Sequence, residues 1–200
     1  MTPRRIIKAP DDIDVLDDLE GPLVYLNGPI QGAADWQADA IEVLGELAPQ
    51  LHIASPRCAR FTGGFEAQLR WETAFVERAA RAGCVMFWLA REINHRCNRA
   101  YAQQVRFELG EWAALSRAGL ARVVVGIEMG FTGGPYLRRR LTLAYPNVPV
   151  CSTLRQTCAV AAELAHKSPT TLAYPFLTRA SRAPALTELV PRPMSLQGDD

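Results

Sequence analysis

Three acidic residues have surroundings that suggest chemistry, and Glu108 is the first of them. It lies in the segment 106–112, where a polar, arginine-rich stretch runs into a helical pattern. A carboxylate in the first turn of a helix meets the positive end of the helix dipole and unpaired backbone N–H groups, so it tends to stay ionised and nucleophilic. The ordinary alternative is that acidic residues are simply favoured in first turns.

Glu72 and Asp35 are the other two acidic candidates. Glu72 follows Trp71 in a second helical pattern, and Asp35 precedes a helical pattern that it can cap. Two carboxylates beside an anomeric carbon divide the work of glycosyl chemistry, since one attacks the carbon and the other handles the proton of the leaving group. A solvated helix face is the alternative explanation for Glu72. The side chains of Trp36, Trp71 and Trp112 suit either the core or a wall for a planar base.

Other chemistries lack their sequence motifs. No Gly-x-Gly-x-x-Gly follows the first predicted strand, and neither a Walker pattern nor a serine elbow occurs. These absences argue against dinucleotide oxidoreduction, P-loop phosphoryl transfer and serine hydrolysis. Cys58, His95 and Cys97 lack the paired spacing of metal ligands, so we expect no metal site and no cofactor.

The elements that must position the acidic residues alternate between strand and helix. Apolar runs bounded by turn residues predict strands, and apolar residues at helical spacing predict helices. The run from Cys84 to Leu89 is apolar throughout, which is typical of a central strand covered on both faces. The predicted strands are 23–26, 51–54, 84–89, 122–127 and 148–151. The predicted helices run from Asp35 to before Pro49, from about 65 to 81, from about 103 to 117, from near Pro135, and from a cap at Ser152 or Thr153 through Ala165.

This alternation predicts a single α/β domain of the Rossmann or flavodoxin-like type. Its sheet is expected to be doubly wound, five-stranded and mostly parallel, with helices on its flanks. In such sheets, ligands bind at the carboxyl ends of the strands. That edge would gather the polar and glycine-rich loops 27–35, 56–65, 91–106 and 128–134, so we expect the site there.

The composition fits one ordinary soluble domain. In a chain of 200 residues we expect a charged N-terminal arm at 1–20, the domain at 21–167 and a proline-rich tail at 168–200 that can wrap a partner subunit. A net charge of +1 provides no global field for a nucleic acid polymer, and no run approaches the roughly 20 apolar residues of a membrane span. Five widely spaced cysteines indicate reduced thiols. We therefore expect a cytoplasmic protein that binds neither a nucleic acid polymer nor a membrane.

An ordered set of short segments resembles the nucleoside 2-deoxyribosyltransferase-like family. In chain order the segments are Val-Tyr-Leu-Asn-Gly-Pro-Ile at 24–30, Asp-Trp-Gln at 35–37, Ser-Pro-Arg at 55–57, Gln-Leu-Arg-Trp-Glu at 68–72, Val-Met-Phe-Trp at 85–88 and Phe-Glu-Leu-Gly at 107–110. The set extends over about residues 22–165, and it is far more specific than any one segment. Members of this family are commonly oligomers, so the resemblance also implies a homo-oligomer.

The resemblance implies that Glu108 is a nucleophile that attacks C1′ of a nucleoside, releases the base and forms a ribosyl-enzyme ester. It implies that Glu72 is the second acid, near the base, and that Arg57 borders the sugar pocket. The expected function is N-glycosyl transfer or hydrolysis on a nucleoside or nucleotide. The alternative is a non-catalytic nucleotide-binding or sensing domain of the same fold. The candidate substrate-binding residues are Asn27, Gly28, Pro29, Asp35, Trp36, Arg57, Trp71 and Arg106.

The loop before Glu108 differs from the family pattern. Classical members carry an aspartate shortly before the nucleophile, and in this loop Glu92 is the only acidic residue. The preference for 2-deoxyribose is therefore open. Arginines are frequent in the same loop and suggest a phosphate ligand, as in relatives that hydrolyse nucleoside monophosphates, although an exposed basic loop is an equal alternative. These arginines are Arg91, Arg96, Arg99 and Arg106.

Overall fold

A six-stranded parallel sheet forms the centre of the protein. The computed structural model describes residues 4–58, 63–95 and 98–167. The strands are β1 (Ile6–Lys8), β2 (Leu23–Asn27), β3 (His52–Ser55), β4 (Gly83–Leu89), β5 (Val123–Ile127) and β6 (Val150–Cys151). They are arranged in the order β1-β3-β2-β4-β5-β6, and every neighbouring pair is parallel. The predicted α/β class and parallel sheet are therefore confirmed.

Helices cover both faces of this sheet. They are α1 (Trp36–Leu47), α2 (Gly64–Ala82), α3 (Gln103–Arg117), α4 (Gly134–Ala144) and α5 (Leu154–Ala165). The apolar residues of α1 and α5 pack on one face, and those of α2, α3 and α4 pack on the other. All residues of β4 are buried, because this central strand is covered from both sides. In the described parts of the chain, no helix combines the length and apolarity needed to cross a membrane.

Two helices begin at side-chain caps that the sequence predicts. Asp35 Oδ1 accepts a hydrogen bond from the backbone N–H of Ala38 at 3.2 Å, and α1 begins at the next residue after Asp35. Thr153 Oγ1 accepts from the backbone N–H of Gln156 at 3.2 Å at the start of α5. Each cap satisfies a backbone donor that has no partner within the helix. The predicted bounds of α3 also agree with the structure.

The prediction of five strands is wrong by one edge strand. β1 pairs with β3, with Ile6 opposite Ile53 and Lys8 opposite Ser55. Only the central residue of β1, Ile7, is buried, so this strand leaves no apolar run in the sequence. The segment expected to be an N-terminal arm thus contains an edge strand, and it also contributes the buried side chain of Leu19 to the core.

Successive strands are added on one side of β2 and then on the other, so the strand order has its switch point between β2 and β4. The chain moves from β2 outward to β3, then crosses back over β2 to reach β4. Without the edge strand β1, this is the 2-1-3-4-5 order of flavodoxin-like sheets. The switch point leaves a crevice at the carboxyl ends of β2 and β4, where ligands bind in such folds.

Candidate active site

A cleft of about 860 Å³ opens beside the carboxyl end of β2, with walls from α2 and α3. Its volume lies within the roughly 300–1,000 Å³ that is usual for small-molecule sites. Five of the ten residues proposed from the sequence line this cleft, because β2, α2 and α3 converge at the switch point. They are Asn27, Gly28, Pro29, Glu72 and Glu108.

One side-chain amide links the two glutamates of the cleft. Gln104 Nε2 donates to Oε1 of Glu108 at 2.8 Å and lies 3.5 Å from Oε2 of Glu72. The two carboxylate oxygens can therefore be no further apart than the sum of these distances. The other oxygen of Glu72 accepts from Gln68 Nε2 at 2.8 Å. Carboxylates from two different helices thus face one cleft, with the amide of Gln104 between them.

The strand end holds the other oxygen of Glu108. Asn27, the last residue of β2, donates from Nδ2 to Oε2 of Glu108 at 2.8 Å. Asn27 is buried, so its side chain is fixed by the sheet. Both oxygens of Glu108 accept hydrogen bonds from amides, which is the role of an ionised carboxylate.

The helix-dipole argument for Glu108 is wrong. The first turn of α3 contains no acidic residue, and Glu108 lies in the second turn. The dipole effect is confined to the first turn of a helix. The start of α3 is also uncapped by a side chain, because the preceding residue is Ala102, whose φ of 54° lies in the left-handed region. The amides of Asn27 and Gln104 therefore replace the helix dipole as the groups that stabilise the carboxylate.

Glu72 is suited to carry a proton. Burial raises the pKa of its carboxyl above the usual value, and the nearby negative charge of Glu108 raises it further. The hydrogen bonds from Gln68 and Gln104 oppose this increase in pKa. Burial also raises the pKa of Tyr25 well above its ordinary value, with smaller contributions from the two glutamates, so its hydroxyl stays neutral at the base of the cleft.

Arg57 and Asp35 do not line the cleft. Arg57 Nε forms an ion pair with Oδ1 of Asp35 at 3.0 Å and donates to Oε1 of Gln37 at 2.8 Å. Its Nη2 donates to the backbone oxygen of Ala34 at 2.8 Å. These contacts fasten the loop after β2 to the end of β3. The structure therefore gives Arg57 and Asp35 a bracing role behind the part of the loop that lines the cleft.

The three tryptophans considered as a wall for a base are buried and do not line the cleft. Trp36 packs behind Gly28 and donates from Nε1 to the backbone oxygen of Pro29 at 2.9 Å. Trp71 donates to the backbone oxygen of Asp11 at 2.9 Å and stacks on the core. Trp112 is also part of the core. The aromatic residue that lines the cleft with an open ring is Phe107, which is 76% exposed.

The arginines considered for phosphate binding separate in the structure. Arg106 Nη2 donates to the backbone oxygen of Thr132 at 2.6 Å, and its guanidinium lies 4.6 Å from the centre of the Phe131 ring. Arg91 pairs with Glu128 at 3.5 Å. These side chains point to the loop after β5.

Arg99 lines the cleft and donates to both the side chain and the backbone of Gln31. Arg96 lies outside the described residues.

The described ranges contain no group of three or more histidine, cysteine, aspartate or glutamate side chains arranged to hold a metal ion. Cys58 lines the cleft, and burial raises the pKa of its thiol, with a further increase from Glu72. His95 instead contacts Glu92, at 3.1 Å. Cys97 lies outside the described residues.

A repeated pentapeptide was the sequence signal for the glutamines of the cleft. Residues 68–72 read Gln-Leu-Arg-Trp-Glu and residues 104–108 read Gln-Val-Arg-Phe-Glu. Residues four apart lie on one face of a helix, so each glutamine is placed beside its own glutamate. This repeat would have indicated two matching helix faces. It could not have indicated that the two faces meet, because that depends on the packing of α2 and α3 on the sheet.

No protein-family model matches the chain, and a comparison with curated proteins finds no match.

Proposed function

We propose that the cleft breaks the N-glycosidic bond of a nucleoside or nucleotide and transfers or hydrolyses the glycosyl group through a covalent ester on Glu108. The observation that carries this proposal is the pair of carboxylates bridged by Gln104 in one cleft. The resemblance of six ordered segments to the nucleoside 2-deoxyribosyltransferase-like family supports the same chemistry. The pair supplies the nucleophile and the proton carrier that glycosyl transfer requires.

The first half of the reaction forms the ester. An oxygen of Glu108 attacks C1′ of the sugar while the bond between C1′ and the base nitrogen breaks, and the electron pair of that bond moves to the base. Protonated Glu72 gives its proton to the departing base. The raised pKa of Glu72 supports this role, because a group with a raised pKa is protonated over a wider pH range.

The second half of the reaction releases the sugar. Water or the nitrogen of an incoming base attacks C1′, the ester bond breaks, and its electron pair returns to the carboxylate of Glu108. Glu72, now ionised, takes the proton from the attacking group. Each carboxyl group is thereby restored to its starting state, and the bond made determines whether the outcome is hydrolysis or transfer.

The spacing of the carboxylates is compatible with a covalent route. The sum of the two distances from Gln104 Nε2 is an upper limit for the separation of Glu108 Oε1 and Glu72 Oε2. That limit is compatible with the spacing of about 5–5.5 Å found where one carboxylate attacks the sugar.

Release of free base tests the proposal. The purified full chain is incubated with deoxynucleosides, ribonucleosides and their 5′-monophosphates, with and without a second base as acceptor, and products are separated by chromatography. We expect base release from at least one class and its loss in Glu108→Gln. Glu111→Gln, an exposed glutamate on the same helix, is the matched control and should keep the wild-type rate.

Two results would contradict this proposal. An undiminished rate in Glu108→Gln would rule out the covalent mechanism. Tight binding of a nucleotide without base release under any condition would favour the non-catalytic binding or sensing domain.

The expected homo-oligomer and cytoplasmic location stay predictions. Light scattering of the full chain measures the oligomeric state.

A further inference from the structure

The two pentapeptide repeats place matching glutamine-glutamate pairs on opposite walls of the cleft. Gln68 Nε2 donates to Oε1 of Glu72 at 2.8 Å on α2, and Gln104 Nε2 donates to Oε1 of Glu108 at 2.8 Å on α3. Within each helix the pairs are equivalent, because donor and acceptor are four residues apart. The equivalence provides an internal comparison between two glutamines of the same chemistry.

Only Gln104 extends from its own helix to the opposite glutamate in the described contacts. Its Nε2 lies 3.5 Å from Oε2 of Glu72 in addition to its bond with Glu108. A primary amide carries two N–H donors, so one nitrogen can serve two acceptors. The NH₂ group of Gln104, and not its carbonyl oxygen, faces both carboxyl groups. Gln104 therefore occupies the space between the two acids.

Glu108 is the charged neighbour with which Glu72 can share a proton. Besides Arg99, which is bonded to Gln31, the other titratable groups that line the cleft are Tyr25 of β2 and Cys58 after β3. Burial raises the pKa of both, so the phenol and the thiol remain neutral near pH 7. Two carboxyl groups in direct contact share one proton, as in aspartic proteases, and then neither is a free nucleophile.

We propose that Gln104 is a positioning residue that holds Glu72 and Glu108 side by side while keeping them from sharing a proton. The inference rests on the proposed function for its catalytic meaning, since separate protonation gives one acid and one nucleophile. Gln68 is chemically the same but bonds on one side only, so it should lack this effect. The two glutamines thus differ in a way that the sequence pattern does not reveal.

The role of Gln104 can be tested without turnover. The quantity measured is the electrostatic coupling between the two glutamates, which is the change in the titration midpoint of Glu72 when Glu108 is replaced. The full chain is labelled with ¹³C at glutamate carboxyls, and the titration midpoint of Glu72, assigned with Glu72→Gln, is followed by NMR. The drop in this midpoint caused by Glu108→Gln is then compared in the wild type, in Gln104→Met and in Gln68→Met. Methionine keeps the length of glutamine but cannot donate.

We expect Glu108→Gln to lower the Glu72 midpoint by about one pH unit more in the Gln104→Met background than in the wild type, because methionine donates to neither carboxyl group and a shared proton is then the bond left to them. The Gln68→Met background should show the wild-type coupling. Equal coupling in all three backgrounds would overturn the inference. Gln156→Met, an exposed glutamine on α5, should change neither coupling nor thermal stability.

Turnover separates this inference from the proposed function. If the wild type releases base, Gln104→Met should lower kcat at least tenfold with a smaller change in KM, and an unchanged kcat would also overturn the inference. A wild type that releases no base from any substrate would refute the proposed function instead. In that case the NMR coupling alone decides whether Gln104 separates the two acids.

Discussion

Asn27 Nδ2 lies 2.8 Å from Oε2 of Glu108, although the two residues are 81 positions apart in the chain. Asn27 ends a central strand, and Glu108 lies on a helix that packs against the same sheet. This hydrogen bond ties the proposed nucleophile to the buried centre of the sheet. Together with Gln104 on the other oxygen, it fixes the direction in which the carboxylate faces the cleft.

Asn27→Ala should impair the reaction more than the fold. Without the amide, one oxygen of Glu108 loses its donor, and we expect kcat for base release to fall about a hundredfold to a thousandfold, the scale of losing one oriented donor. Loss of a buried hydrogen bond should also cost about 1–3 kcal/mol of the free energy of unfolding. Asn147→Ala, at an exposed asparagine, is the control. A variant with wild-type kcat would show that Asn27 does not orient Glu108.

Gly28→Ala should destabilise the protein, and Gly110→Ala should stabilise it. A Cβ on Gly28 would lie 2.6 Å from Cζ2 of Trp36 and would also meet the backbone oxygen of Trp88, so overpacking should cost about 1–3 kcal/mol. A Cβ on Gly110 meets no atom within 4 Å, and alanine in a helix interior should add about 0.4–1 kcal/mol. Chemical denaturation of both variants measures these changes. A stable Gly28→Ala protein would contradict the close packing of this loop.

Phe107→Ala should weaken substrate binding with little effect on stability. The Phe107 ring lines the cleft and is 76% exposed, so it has little packing to lose and is free to stack on a planar base. We expect KM to rise about fivefold to tenfold, as for one lost stacking contact of roughly 1 kcal/mol. Phe65→Ala, at a 72% exposed phenylalanine of α2, should leave KM unchanged. Equal effects of the two variants would argue against a base at Phe107.

Thermal unfolding should reveal the ionisation of Glu72. Because burial and Glu108 raise its pKa in the folded state, the folded protein holds this proton more tightly than the unfolded chain. The associated stability is fully present below the ordinary glutamate pKa and is lost as the pH rises through the raised pKa of Glu72. We therefore expect the Tm of the wild type relative to Glu72→Gln to fall as the pH rises from about 4, the ordinary range of a glutamate, through the raised pKa of Glu72. Glu77 has a raised pKa in both proteins, so its effect cancels in the difference. Parallel Tm curves would contradict the raised pKa.

The strands and helices were largely predictable because they depend on local patterns. The apolar run at 84–89 and the caps at Asp35 and Thr153 predicted elements that the structure contains. The edge strand β1 was missed because it has three residues, only one of them buried. A strand of this kind is defined by its pairing with β3, and pairing partners leave no signal in a local window.

The candidate site was predictable only in part. Chain order and the rule for parallel sheets correctly indicated that the loop after β2 lies at the crevice. The same reasoning did not distinguish Arg57, which braces that loop, from Asn27, which lines the cleft. Both residues follow or end a strand and both are polar. Their different roles depend on which way each side chain points after the strands have paired.

By itself, the sequence determined the α/β class, the order of the elements other than the edge strand β1, and the presence of carboxylates near the crevice, because hydrophobic periodicity and turn residues act over short distances. Only the tertiary structure decided that Glu72 and Glu108 lie on facing walls and share the amide of Gln104. It also showed that the amide of Asn27, and not the helix dipole expected from the sequence, contacts the carboxylate of Glu108. The physical reason is that α2 and α3 pack on the same face of the sheet, and hydrogen bonds between their side chains form only when that packing brings them within reach.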